Sequence, residues 1–134
     1  MDKTNSIIKE NKRSDFCDYK RKKDRYEPGD VFFVNLGSPD SHVQGGIRPV
    51  IILGASSVLQ YSKSLVIQGV PLTTVPKLPK VHVEINEDFL KKSFAMPEQL
   101  VTLDVCQIVG YKGRISDKNL LKVKKAVRTQ LGLN

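Results

Sequence analysis

The sequence predicts a small, mainly β fold: a β-barrel of five to seven short strands with one helix packed on it. Three observations carry this expectation. Short runs of β-branched and aromatic residues recur along the chain, each bounded by Pro, Gly or polar clusters. Only the C-terminal stretch keeps a helical apolar spacing. And 134 residues, 40% of them hydrophobic, allow one core rather than two.

Residues 1–26 stand apart as a basic N-terminal extension. They hold nine Lys or Arg against five acids, and their apolar content is thin: Ile7, Ile8, Phe16, Tyr19 and Tyr26. Such a segment cannot bury enough surface to fold alone. A solvated tail is the simpler reading of Lys20-Arg21-Lys22-Lys23, and an electrostatic arm for RNA the sharper one.

The folded domain is expected over 27–134. Pro28-Gly29-Asp30 breaks the chain, and Val31-Phe32-Phe33-Val34-Asn35-Leu36 reads as a buried strand. A polar loop over 37–46 leads to a second strand over 48–54, with Pro49 near its start, where a missing N–H is tolerated. A third strand spans 65–72, and a Pro- and Lys-containing loop follows over 73–80. Val81-His82-Val83-Glu84-Ile85 alternates, as a half-exposed strand does. A short helix over 87–92 and strands over 98–104 and 107–114 complete the β region. Ser116 then suits a helix N-cap, with Asp117 at the positive end of the helix dipole. Leu120, Val123, Val127 and Leu131 give one apolar stripe, and Gly132 supplies a left-handed C-cap.

The formal net charge of +8 points to an anionic partner, of which nucleic acid is one class. No run approaches the roughly 20 apolar residues that span a bilayer. Charges throughout 9–30 leave no signal-peptide core, so a cytoplasmic protein without membrane partner is expected. Compartment rules favour Cys17 and Cys106 as two unpaired thiols over a disulfide.

The residues do not spell a metal or cofactor site. His42 and His82 are the two histidines, with no close cluster at ligand spacing, and Gly45-Gly46 lacks the phosphate-loop fingerprint. Neither metal nor cofactor is therefore expected. RNA cleavage needs neither, because RNA carries its own nucleophile, the 2′-hydroxyl. In-line positioning and charge stabilisation at phosphorus then suffice. An arginine fork suits the phosphate oxygens, and a hydroxyl side chain can add a neutral hydrogen bond. Arg48 and Thr73 are candidates because each borders a strand and a loop. On residue type alone, a structural arginine paired with a nearby acid is the simpler reading of Arg48.

Five stretches occur in a telling order. They are Pro28-Gly29-Asp30-Val31-Phe32-Phe33-Val34-Asn35-Leu36, then Gln44-Gly45-Gly46-Ile47-Arg48-Pro49-Val50-Ile51-Ile52, then Val70-Pro71-Leu72-Thr73-Thr74. His82-Val83-Glu84-Ile85 and Glu98-Gln99-Leu100-Val101-Thr102-Leu103-Asp104 follow, and Leu131-Gly132 closes the set. Together they resemble the MazF/PemK toxins of bacterial type II toxin–antitoxin systems, over about 27–134. The resemblance implies an SH3-like barrel, a homodimer and metal-independent, sequence-selective cleavage of single-stranded RNA or mRNA. It also implies a cyclic phosphate and a 5′-hydroxyl as products, and a MazE-like antitoxin as partner.

By position, the resemblance makes Arg48 the transition-state stabiliser and Thr73 its partner at the scissile phosphate. Gln44, Gly45 and Gly46, with Pro49 after them, shape the loop over the RNA, and Glu98 and Gln99 support the site or contact bases. Three departures stand out: His42-Val43 where the family often has Ser-Glu, Val101 where it often has Arg, and Val105-Cys106-Gln107 where a basic residue often follows. They imply altered base preference or weaker RNA binding. They also keep open a non-catalytic toxin on the same fold, such as a DNA-directed gyrase poison, or a degenerate RNA-binding module. His42 is a titrating group beside the candidate site, although a surface-loop histidine without a catalytic part is the simpler reading.

Overall fold

The computed structural model describes residues 26–38, 43–55, 66–75 and 77–133. Residues 1–25 of the basic extension, Cys17 among them, and His42 lie outside these residues.

Among the described residues, seven strands and one helix follow in order. β1 is Asp30–Asn35, β2 Ile47–Ile52, β3 Val66–Thr73, β4 Val83–Ile85, β5 Ser93–Ala95, β6 Val101–Asp104 and β7 Ile108–Arg114; α1 is Asp117–Leu131. Single 3₁₀ turns occupy Pro97–Gln99 and Val105–Gln107. All strand pairings are antiparallel. The sheet runs β4-β5-β3-β2-β1-β7, with β6 also on β3.

The expectation of a mainly β fold with one packed helix holds, but the barrel does not close. β4 and β7 end the hydrogen-bonded path and do not pair with each other. Closure needs matched tilt and register at the first and last edges. A three-residue β4 offers too little ladder for that, and β3 divides one edge between β6 at Val66–Gly69 and β5 at Leu72–Thr73.

The opening turn shows how sequence becomes geometry. Gly29 adopts φ 96, a conformation that costs a side-chain-bearing residue energy. The buried Asp30 carboxylate then accepts the Glu27 N–H at 3.0 Å, and the Asp30 N–H donates back to the Glu27 carbonyl. β1 and β2 are apolar on both faces because both are covered. Val31 and Ile51 join one cluster with Val70, Leu72 and α1's Leu120, Val123 and Val127. Phe32, Val34, Val50 and Ile52 join a second with Ile67, Leu103 and Ile108. Continuous apolar runs, rather than alternation, are what such strands require.

α1 is capped as expected. The Ser116 side chain accepts the Asn119 N–H at 3.2 Å, and Gly132 takes φ 70. Leu120, Val123 and Val127 are buried, whereas Leu131, the last residue of α1, is exposed.

Two expectations need correction. The segment 87–92 is a turn, not a helix. Glu87 turns its carboxylate to the start of α1 instead, accepting from the Ser116 N–H at 2.9 Å and from Asn119 Nδ2 at 2.6 Å. The chain then enters β5, three residues too short to show a period in sequence. Cys106 is not an unpaired thiol but disulfide-bonded. Compartment rules carry no information about which sulfurs the fold brings together.

Candidate active site

The site begins at the hairpin between β1 and β2. Gly46 takes φ 77, and its N–H reaches the Gly37 carbonyl at 2.7 Å while its own carbonyl accepts from Leu36 at 2.9 Å. That pinned neck sets where β2 starts. Arg48, second in β2, stands opposite Val34, and Pro49 stands opposite Phe33. The Arg48 side chain folds back so that Nε donates to the Gly45 carbonyl at 3.1 Å. Among the described residues no acid forms an ion pair with it.

Thr73 ends β3 on the neighbouring strand. Its hydroxyl accepts the Val75 N–H at 3.2 Å, a local turn that fixes the side chain at the strand's end. Arg48 and Thr73 line the same two depressions. One, about 820 Å³, is also walled by Gln44, Gly45, Glu98 and Gln99. The other, about 360 Å³, adds Gly46 and Pro49. Every described candidate residue therefore reaches one of the two, from the loop before β2, from β2 and β3, and from the first 3₁₀ turn. Gln99 ties two of these segments together, its Oε1 accepting the Gln44 N–H at 3.2 Å.

His82, Lys77 and Met96 also line the larger cavity, and the sequence had not pointed to them as site residues. His82 is the most consequential. Its Nε2 lies 2.7 Å from Glu98 Oε2, with the two side chains 3% and 18% exposed. A lone histidine just before a short strand gives no sign of a partner sixteen residues away. Lys77 places an exposed cation on the same wall. Among the described residues no group of three or more His, Cys, Asp or Glu could hold a metal ion.

The departures sort themselves physically. Val43 is exposed on the cavity wall. Val101 instead pairs with Gly69 and packs on the second core cluster. Gln107 is an architectural residue: its Oε1 accepts the Asp104 N–H at 2.9 Å and its Nε2 donates to the Asn35 carbonyl at 3.0 Å. Asp104 completes that corner by accepting the Cys106 N–H at 2.9 Å.

Residues 27–131, which supply all of these groups, match the family described as PemK-like, MazF-like toxin of type II toxin–antitoxin system. This chain belongs to the PemK/MazF toxin family. It is similar to a protein of Staphylococcus saprophyticus subsp. saprophyticus named endoribonuclease MazF, with 32% identity over 110 residues, 79% of this chain and 91% of that relative. Solved MazF-type structures share the fold. MazF of Deinococcus radiodurans superposes with a TM-score of 0.72 at 18% identity, covering 81% of this chain and 98% of the other. A mycobacterial endoribonuclease in complex with its cognate antitoxin gives 0.66 at 20% identity, covering 84% and 98%. Among the described residues, no helix of this PemK/MazF chain is long and apolar enough to cross a membrane.

Proposed function

We propose that this protein is a sequence-selective endoribonuclease toxin that cleaves single-stranded RNA, mRNA included, without a metal ion. The observation that carries the reading is the convergence of Arg48 and Thr73, from adjacent strands, on the same open cavities. The 2′-oxygen of the substrate attacks the adjacent phosphorus in line with the departing 5′-oxygen. The O2′–P bond forms and the P–O5′ bond breaks, leaving a 2′,3′-cyclic phosphate and a 5′-hydroxyl. The 2′-hydroxyl proton leaves to solvent or a base, and the 5′-oxygen gains one.

Arg48 bears the main electrostatic load. Its Nε–H is held by Gly45, so the guanidinium is oriented before substrate arrives, and the terminal nitrogens stabilise charge that builds on the phosphorane oxygens. Preorganisation of this kind avoids reorganisation at the moment of reaction. The Thr73 hydroxyl donates to the same phosphate. Gln44, Gly45 and Gly46 shape the rim, and Gln99 holds that rim through Gln44. The name of the staphylococcal relative supports the reaction class. Solved relatives bound to a cognate antitoxin support a MazE-like antitoxin as partner, and the family supports a homodimer. An RNA substrate and an antitoxin partner are consistent with action in the cytoplasm.

Purified protein should cut a long single-stranded RNA in the presence of EDTA, at a limited set of sites. Arg48→Ala should lose about 10²- to 10³-fold in rate. Cleavage retained by Arg48→Ala would overturn the assignment, and cleavage abolished by EDTA would overturn the metal-free mechanism.

A further inference from the structure

The chemistry proposed for Arg48 and Thr73 makes no use of the His82–Glu98 pair in the same cavity wall. That pair is expensive to keep. Besides the 2.7 Å contact, His82 Nδ1 and Glu98 Oε1 are buried and have no hydrogen-bond partner among the described residues. A buried ionic or polar pair is often no more stable than an apolar pair of similar volume, and unsatisfied atoms make it worse. A purely structural wall at this place would be better made of leucines.

The pair sits where two segments meet. His82 closes the loop after β3, its N–H and that of Val81 both donating to the Leu78 carbonyl, at 2.8 and 2.9 Å. Glu98 lies in the 3₁₀ turn Pro97–Gln99. The next residue, Gln99, accepts the Gln44 N–H, and the carbonyl of Gly45, one residue beyond Gln44, receives Arg48 Nε. Each link is a hydrogen bond or a single peptide step. The loop after β3, the 3₁₀ turn and the loop before β2 are thereby registered to one another.

We propose that His82 is a positioning residue for Arg48. By holding Glu98 it sets the turn whose Gln99 carries the Gln44–Gly45 backbone, and with it the guanidinium. This rests on Arg48 being the catalytic group. A direct contact of the pair with an RNA base is the competing role. It is disfavoured because Nδ1 and Oε1 have essentially no accessible surface, so the wall would have to open first. Small displacements of a catalytic group are costly: a misplacement near 1 Å can lower a rate about 10²-fold.

The experiment compares wild type, His82→Gln, His82→Asn and the double variant His82→Leu/Glu98→Leu. The glutamine amide nitrogen reaches roughly where the imidazole Nε2 stands and still donates to Glu98; the asparagine amide falls short. The first readout needs no RNA: the solvent exchange of the Arg48 Nε–H proton, followed by nitrogen-15 NMR. The second is single-turnover cleavage, resolved into kcat and KM, with thermal melting alongside.

His82→Gln should keep a protected Nε–H and a kcat close to wild type. The double variant should melt no lower than wild type, yet lose the protection and fall on the order of 100-fold in kcat with little change in KM. His82→Asn should show the same loss, and decides the matter should the double variant fold poorly. Unchanged Nε–H exchange in the folded variants that break the contact would overturn the proposal. So would a raised KM with kcat intact, which would mark a base contact instead. If wild type itself fails to cut RNA, the proposed function falls, while the NMR arm still decides whether His82 governs the placement of Arg48.

Discussion

Arg48→Lys separates the two things an arginine can supply at this site, positive charge and a fixed planar fork. Lysine keeps the charge. It loses the Nε–H bond to Gly45, 3.1 Å long and half-buried, and it loses the paired terminal nitrogens, which meet no acid among the described residues. A hydrogen bond from a charged donor contributes about 1.5–3 kcal/mol. Lysine forfeits one such bond that orients the group and one of two that meet the phosphate. Taking the lower figure for each, the barrier should rise by about 3 kcal/mol, a little over 100-fold in kcat. The cost to folding should be small, because the side chain is partly exposed and covers no core cluster. The assay is single-turnover cleavage of a short RNA containing one mapped site, with melting followed by circular dichroism. A lysine variant within a few-fold of wild type would mean that charge alone matters at this position, and the orienting role given to Gly45 would be wrong.

Thr73→Val keeps the shape of the side chain and removes its hydroxyl, so cleavage should fall about 10-fold or more while the fold loses about 1 kcal/mol from the turn to Val75; unchanged cleavage would remove Thr73 from the chemistry. Gly69→Ala tests the core behind the site. A Cβ there would collide with Val50 Cγ1 and stand 3.1 Å from the Ile51 carbonyl, so overpacking should cost about 1–3 kcal/mol and lower the melting temperature by several degrees or more. Glu84 sets an acid-side prediction. Its carboxyl is held below the usual range first by the Asn86 side chain, then by the charges of Lys92 and Lys122. A depressed folded pKa stabilises at neutral pH, and that contribution is lost as pH falls from the ordinary carboxylate range through the lower folded value. Glu84→Gln should therefore shallow the drop in melting temperature over that acid window; an identical drop would show that Glu84 carries no such linkage.

Much of the scaffold was legible because its causes are local. Gly29-Asp30 reads as a turn into a strand, and the structure explains both residues through the positive φ and the carboxylate that closes onto Glu27. Ser116 and Gly132 announce the ends of α1 by capping chemistry confined to a few residues. What failed to read locally was decided at a distance. The segment 87–92 has helical composition, but Glu87 serves the N-terminus of another element, and β5 is too short for any period to show. The open sheet follows from how β3 shares its edge, which no single strand records.

The same division runs through the candidate site. The sequence by itself offered Arg48 and Thr73 as candidates for phosphate chemistry, through residue type at strand–loop borders and the order of the family's motifs. Only the tertiary structure decided that Arg48 meets no acid among the described residues, that Gln99 reaches across to Gln44, and that His82 meets Glu98 inside the cavity wall. Side-chain chemistry is written residue by residue. Proximity is created when antiparallel strands distant in the chain are brought side by side, and only proximity turns these groups into a site.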